Sequence, residues 1–205
     1  MKPDSTQKNG NQQTSKQAQT GNTSQGNEDS VSPLQKLFRD QLADIYYAEQ
    51  QLLKALEEMK QAATTEELED AFQTHRDQTQ RHIQRLEKVF KSLGEEASGK
   101  KCAAIEGIIE EARQIISETK EQTMTRDAAL IIAAQKAEHY EIATYGGLVQ
   151  LAITLEMHRA AELLDKTLQE EEETDELLTD IAESHINMDA ENESGQIQNM
   201  KKVKQ

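Results

Sequence analysis

Four long stretches of this sequence carry apolar residues at alternating spacings of three and four, and ionisable side chains interrupt every one of the four stripes. That spacing marks one face of an α-helix packed against other helices. The interruptions restrict the fold severely. An ionised group inside a bundle is costly unless it is paired or bound to a counter-ion. The four stripes must therefore meet so that their polar residues compensate one another.

The first helix is predicted from 33 to about 61, with Leu34, Phe38, Leu42, Ile45, Leu52 and Leu56 inward and Glu49 on the same stripe. Ser32, Pro33 and Gln35 form a capping-box start. Thr64 with Glu67 predicts the cap of a second helix to about 93, and Gly94 fits its stop. Its stripe is Leu68, Phe72, His75, Thr79, His82, Leu86 and Phe90. A third long helix is predicted from near Thr125 to about 155, with Ile131, Ala134, Glu138, Glu141 or Ile142, Tyr145 and Leu148 on one face. Gly146-Gly147 argues against a straight helix there. The last, from about 158 to 186, carries Leu164, Leu168, Glu171, Asp175 and Leu178. Residues 101 to 118 predict a shorter amphipathic helix lying across the others. The fold class expected is all-α: a ferritin-like four-helix bundle with an additional short helix.

Residues 1–31 are nearly devoid of apolar side chains and are expected to be a disordered polar tail, with the bundle over 32–188 and a second polar tail over 189–205. A net charge of −15 with no basic stripe argues against nucleic-acid binding. No run of 18 apolar residues exists, so no membrane span is expected. The single cysteine, Cys102, excludes an internal disulfide framework and, with no secretory signal at the N-terminus, suggests a cytoplasmic protein.

Glu49, His82, Glu138, Glu141 and Glu171 fall near the middle of the inner stripes. Carboxylates and histidines from several helices of a bundle point to a shared metal centre, and carboxylate-rich ligation suits iron or manganese. Glu138, nearer the seam centre, is the expected bridge. The bland alternatives are definite: a buried salt bridge for Glu49, a satisfied core histidine for His82, and a solvated run for Glu171 among its glutamate neighbours. His139 is expected at the surface, and Cys102 as a small buried hydrophobe without a catalytic partner.

The blocks LFRDQLADIYYAEQQLLKAL, HRDQTQRHIQRLEKVF, KCAAIEGIIEEA, AAQKAEHYEIATYGGL and LLDKTLQEEEETDELLTDIA occur in order over about residues 33 to 188. They resemble the YciF/YciE-like stress proteins. The resemblance implies a rubrerythrin-related fold, a homodimer and a role in stress response. A rubrerythrin-like site implies one Glu from the first helix, matched by Glu49, and two Glu three apart from the third, matched by Glu138 and Glu141. It implies Glu-x-x-His from the second and fourth helices. Here Thr79 stands for the first Glu while His82 is kept, and Glu171 is kept while Thr174 stands for the second His. His75 or Asp175 would then compensate, and Tyr46 or Tyr145 would donate a hydrogen bond to a ligand or quench an oxidant. One iron or manganese ion per chain, or an asymmetric pair, follows.

Two functions are thus expected. One is a metal-binding stress-response protein that oxidises ferrous iron or removes peroxide, with an external reductant because a Cys-rich iron module is excluded. The other is a non-enzymatic structural or interaction bundle whose polar core residues pair with one another.

Overall fold

The computed structural model describes residues 31–193, so all but the last residue of the expected N-terminal tail, and residues 194–205, lie outside the described residues. Five α-helices follow in order: α1 (Pro33–Ala62), α2 (Glu66–Ser92), α3 (Ala103–Glu118), α4 (Met124–Thr154) and α5 (His158–Ile181). A π-helical turn, Ala182–Ile186, continues α5, and helical backbone extends to Glu193. The polar sequence beyond 189, expected as a tail, is therefore helical as far as it is described. None of the described helices is long and apolar enough to cross a membrane.

α1, α2, α4 and α5 form a ferritin-like four-helix bundle. Side-chain pairs fix the relative directions. Arg85 meets Thr167 while Gln78 meets Thr174, so α2 and α5 are antiparallel. Gln135 meets Thr179 while His139 faces Asp175, so α4 and α5 are antiparallel too. α2 and α4 consequently run the same way, and the chain leaving α2 must travel back along the bundle before α4 begins. α3 makes that return. Its Ile105 and Ile109 join the apolar cluster containing Phe38, Leu42, Leu86 and Phe90, while Ala112 joins the one containing Met59, Leu68, Phe72 and Leu130. At Gly94, φ is +75°, which permits the reversal at the end of α2. Lys100 N–H then donates to the Ala43 carbonyl at 3.0 Å, and Gly99 lies so close to Tyr47 that a Cβ would sit 3.2 Å from the Tyr47 Cβ.

The caps combine expected and unexpected contacts. The Ser32–Gln35 capping box forms as the sequence predicts. The expected Thr64–Glu67 cap is replaced. Thr65 occupies the cap position, and Asp127 of α4 accepts from Thr64 N, Thr65 N and Thr65 Oγ1 at 2.7, 2.9 and 2.8 Å. A fully buried carboxylate thus ties the start of α4 to the start of α2. The last described residue, Glu193, accepts from Met124 N and Thr125 N at 2.7 and 3.2 Å, satisfying the first turn of α4. α4 runs unbroken through Gly146-Gly147.

On α2, α4 and α5 the two apolar clusters are separated by one polar level: His75, Thr79 and His82; Glu138 and Glu141; Thr167, Glu171 and Thr174. Glu49 enters it from α1. This level is where the site lies.

Because three donors depend on it, Asp127→Ala is expected to lower unfolding free energy by about 2 kcal/mol. Urea denaturation of the two proteins measures it, and a change within error would show that the cap contributes nothing to the fold.

Candidate metal centre

Each ligand candidate reaches the bundle interior because it replaces an apolar residue in its stripe. Glu49, His82, Glu141 and Glu171 are wholly buried, and Glu138 and His75 nearly so. Two sets of donors lie within 4.8 Å of one another: His75, Glu138, Glu141 and Glu171; and Glu49, His82 and Glu171. Glu171, on α5, belongs to both sets, whereas Glu138, the expected bridge, belongs to one. His75 is a member of the larger set.

Eight buried donor atoms of these residues have no hydrogen-bond partner: Glu49 Oε2, His75 Nδ1, His82 Nδ1, Glu138 Oε2, and both carboxylate oxygens of Glu141 and of Glu171. Buried polar groups are ordinarily satisfied. His82 Nδ1 lies 2.9 Å from Glu171 Oε1 and 3.5 Å from Glu49 Oε1, yet it is not aligned with either as a hydrogen bond. His75 Nε2 lies 3.3 Å from Glu138 Oε1, and Nδ1 3.8 Å from Glu171 Oε2. Donor atoms from four helices, brought within 4.8 Å of one another in two sets, could be satisfied together by a cation.

Electrostatics within the level follow from burial. Burial raises Glu138 and Glu141 well above the usual carboxylate range, and the charge of Glu171 raises both further. Glu171 rises to about 7 through burial, against the opposing pull of His82. Burial disfavours charge on His82, but Glu49 and Glu171 outweigh it and raise the ring to about 10. Burial and the neighbouring His82 charge depress His75 to about 3.

The remaining predicted residues fall in different places. Tyr145, fully buried, donates its hydroxyl to Glu49 Oε1, one of the candidate donors. Tyr46 does not. Its hydroxyl faces Glu87 at 3.4 Å and its ring packs edge-on against Phe90. Thr79 turns its hydroxyl to the His75 carbonyl at 3.0 Å, and Thr174 turns to the Glu170 carbonyl at 2.9 Å, so both hydroxyls are used within their own helices. Asp175 lies outside both donor sets, with Oδ2 3.6 Å from the exposed His139. Cys102 is half-buried, its sulfur 3.2 Å from the Tyr140 hydroxyl.

Sequence reasoning missed Glu170 and Arg85. Glu170 Oε2 is 2.9 Å from His82 Nε2, and both its oxygens accept from the Arg85 guanidinium at 2.7 Å. Burial would raise Glu170, but Arg85 and His82 hold it down to about 2. The signal available was Arg85 one helical turn beyond His82 on α2.

Fold and site together define a ferritin-like bundle with a buried carboxylate–histidine centre. Residues 33–191 match the family described as "Domain of unknown function (DUF892)", and the chain belongs to that family. Protein YciF of Escherichia coli (strain K12) is 44% identical over 165 residues, spanning 80% of this chain and 99% of that protein. The crystal structure of the E. coli stress protein YciF aligns with a TM-score of 0.71 at 45% identity, covering 75% of this chain and 97% of that one. YcfI from Rhodopseudomonas palustris, described as a candidate structural protein, aligns with a TM-score of 0.70 at 38% identity over 75% of this chain and 98% of its own.

In the metal-free protein between pH 6.5 and about 10, folded His82 retains a proton that the unfolded chain has released. The native state then binds more protons, so its stability falls as pH rises. The melting temperature of metal-free protein should drop steadily from pH 6.5 to about 10, read by circular dichroism. A constant or rising melting temperature over that range would contradict the assigned protonation.

Proposed function

We propose that this protein is a stress-response metalloprotein with an asymmetric dinuclear centre for iron or manganese. The observation that supports this most is the set of eight unpartnered buried donor atoms around the shared Glu171. Glu49, His82 and Glu171 would hold one ion, and His75, Glu138, Glu141 and Glu171 the other. Carboxylate-rich donors favour these metals over thiophilic ones. Such a centre, when loaded, would supply one electron per ion, suited to ferrous oxidation or to the two-electron reduction of peroxide. The chain's own contributions are distinct from that chemistry. Two apolar clusters keep bulk water from the polar level. Tyr145 holds Glu49 in place through its hydroxyl. With a single cysteine in the chain, reducing equivalents would come from an external donor.

The similarity to the E. coli stress protein supports the physiological setting. A specific observation favours a second reading, a structural bundle with a self-neutralising core. His82, held protonated between Glu49, Glu171 and Glu170, already supplies one buried positive charge.

Elemental analysis separates the readings. Wild-type protein reconstituted with ferrous or manganous ions should retain one or two ions per chain, as dinuclear carboxylate sites of helical bundles do (up to about two). The Glu49→Ala/Glu138→Ala variant should retain none. Equal metal in both, or none in the reconstituted wild type, would remove the metal assignment. Ferrous oxidation or peroxide consumption should likewise be lost in Glu138→Ala with helical content preserved, and unchanged turnover there would refute the redox role.

A further inference from the structure

Outside the donor sets, the most ordered polar arrangement is the one behind His82. Glu170 sits where α5 faces α2, and two groups converge on it. Arg85 grips both its oxygens at 2.7 Å, and His82 Nε2 lies 2.9 Å away. Arg85 is itself buried, and its guanidinium also donates to Thr167 Oγ1 at 3.2 Å. This is not a surface ion pair free to reorient. A planar guanidinium bonded to both oxygens fixes the carboxylate in position and in rotation.

The consequence falls on His82. An ionised carboxylate only accepts hydrogen bonds, so the ring nitrogen facing Glu170 must carry a proton. That nitrogen is Nε2. The lone pair of the neutral ring is then on Nδ1, the nitrogen turned toward Glu171 and Glu49. His75 has no equivalent support. Its Nδ1 is unpartnered and its Nε2 faces only Glu138, a member of its own donor set. The two histidines differ in preorganisation, although both are buried on α2.

We propose that Glu170 and Arg85 are positioning residues of the metal centre, which set His82 to bind a divalent cation through Nδ1 and make the Glu49–His82–Glu171 set the preorganised one. The proposal rests on the metal reading above. It adds that affinity at this set depends on two residues that touch no ion, one of them the immediate neighbour of Glu171 in a run of four glutamates.

The test uses full-length wild type, Glu170→Gln, Glu170→Ala and, as a control, Glu172→Gln at an exposed neighbour. Each is titrated with cobalt(II) and followed by its visible absorption, with circular dichroism reporting the fold. Zinc-loaded protein labelled with nitrogen-15 in histidine reports the His82 tautomer by NMR. Wild type should show a metal-bound Nδ1 and a protonated Nε2. Glu170→Ala should weaken the affected binding step about 10- to 100-fold and shift the cobalt spectrum. Glu170→Gln should fall between, because its amide oxygen still accepts from Nε2–H without the charge. Glu172→Gln should match wild type. If Glu170→Ala does not fold, the near-isosteric Glu170→Gln decides. Equal affinities and identical cobalt spectra in wild type and both Glu170 variants would overturn the proposal while leaving the metal centre standing. So would metal on Nε2 of His82. Failure of the wild type to take up cobalt would instead defeat the metal reading, and the positioning role with it.

Discussion

Burying four carboxylates and two histidines in one level of a helical bundle is the constraint around which the rest of this molecule is organised. Glu49, Glu138, Glu141 and Glu171 have lost their water, and only part of that loss is recovered within the protein. Isolated ionised carboxylates at such depth would drive the bundle apart. Some relief comes from protonation, since burial raises Glu138, Glu141 and Glu171. Some comes from His82, and some from the Tyr145 hydroxyl on Glu49. A bound divalent cation would neutralise the remainder while using the atoms left without partners.

The fold keeps this level in register. α2 and α4 run in the same direction, so their polar residues come to one depth only because α3 carries the chain back along the bundle. Asp127 ties α4 to the start of α2, and Glu193, beyond α5, closes the first turn of α4. These carboxylates lie away from the donor sets. They hold the two helices that supply three of the four residues of the larger set, His75, Glu138 and Glu141.

Much of this was legible in the sequence because the helical period is strong. The stripe through Phe38, Leu42, Ile45 and Leu52 places Glu49 inward without further information, and the same logic places His82, Glu138, Glu141 and Glu171. The five helices and their approximate limits follow from that pattern together with the caps. The pairing of residues across helices does not follow from it. Glu171 is the shared donor because of where α5 sits against both α2 and α4, a relation no single stripe contains. Thr64 has the local features of a cap, but a residue 63 positions away supplies the contact. Glu170 is one residue off the stripe, so periodicity assigns it to solvent. It is held inward by Arg85, whose long side chain reaches across from α2. Tyr46 lies on α1 only three residues before Glu49, yet its ring turns toward Phe90 and its hydroxyl toward Glu87.

The central claim is that two ions share the Glu171 carboxylate. Anomalous X-ray scattering from crystals loaded with manganous or ferrous ions, collected above and below the metal edge, tests it directly. The account predicts two peaks, one among Glu49, His82 and Glu171 and the other among His75, Glu138, Glu141 and Glu171. An anomalous map with no peak at this level in fully loaded crystals, with the donors instead bonded to one another, would contradict it.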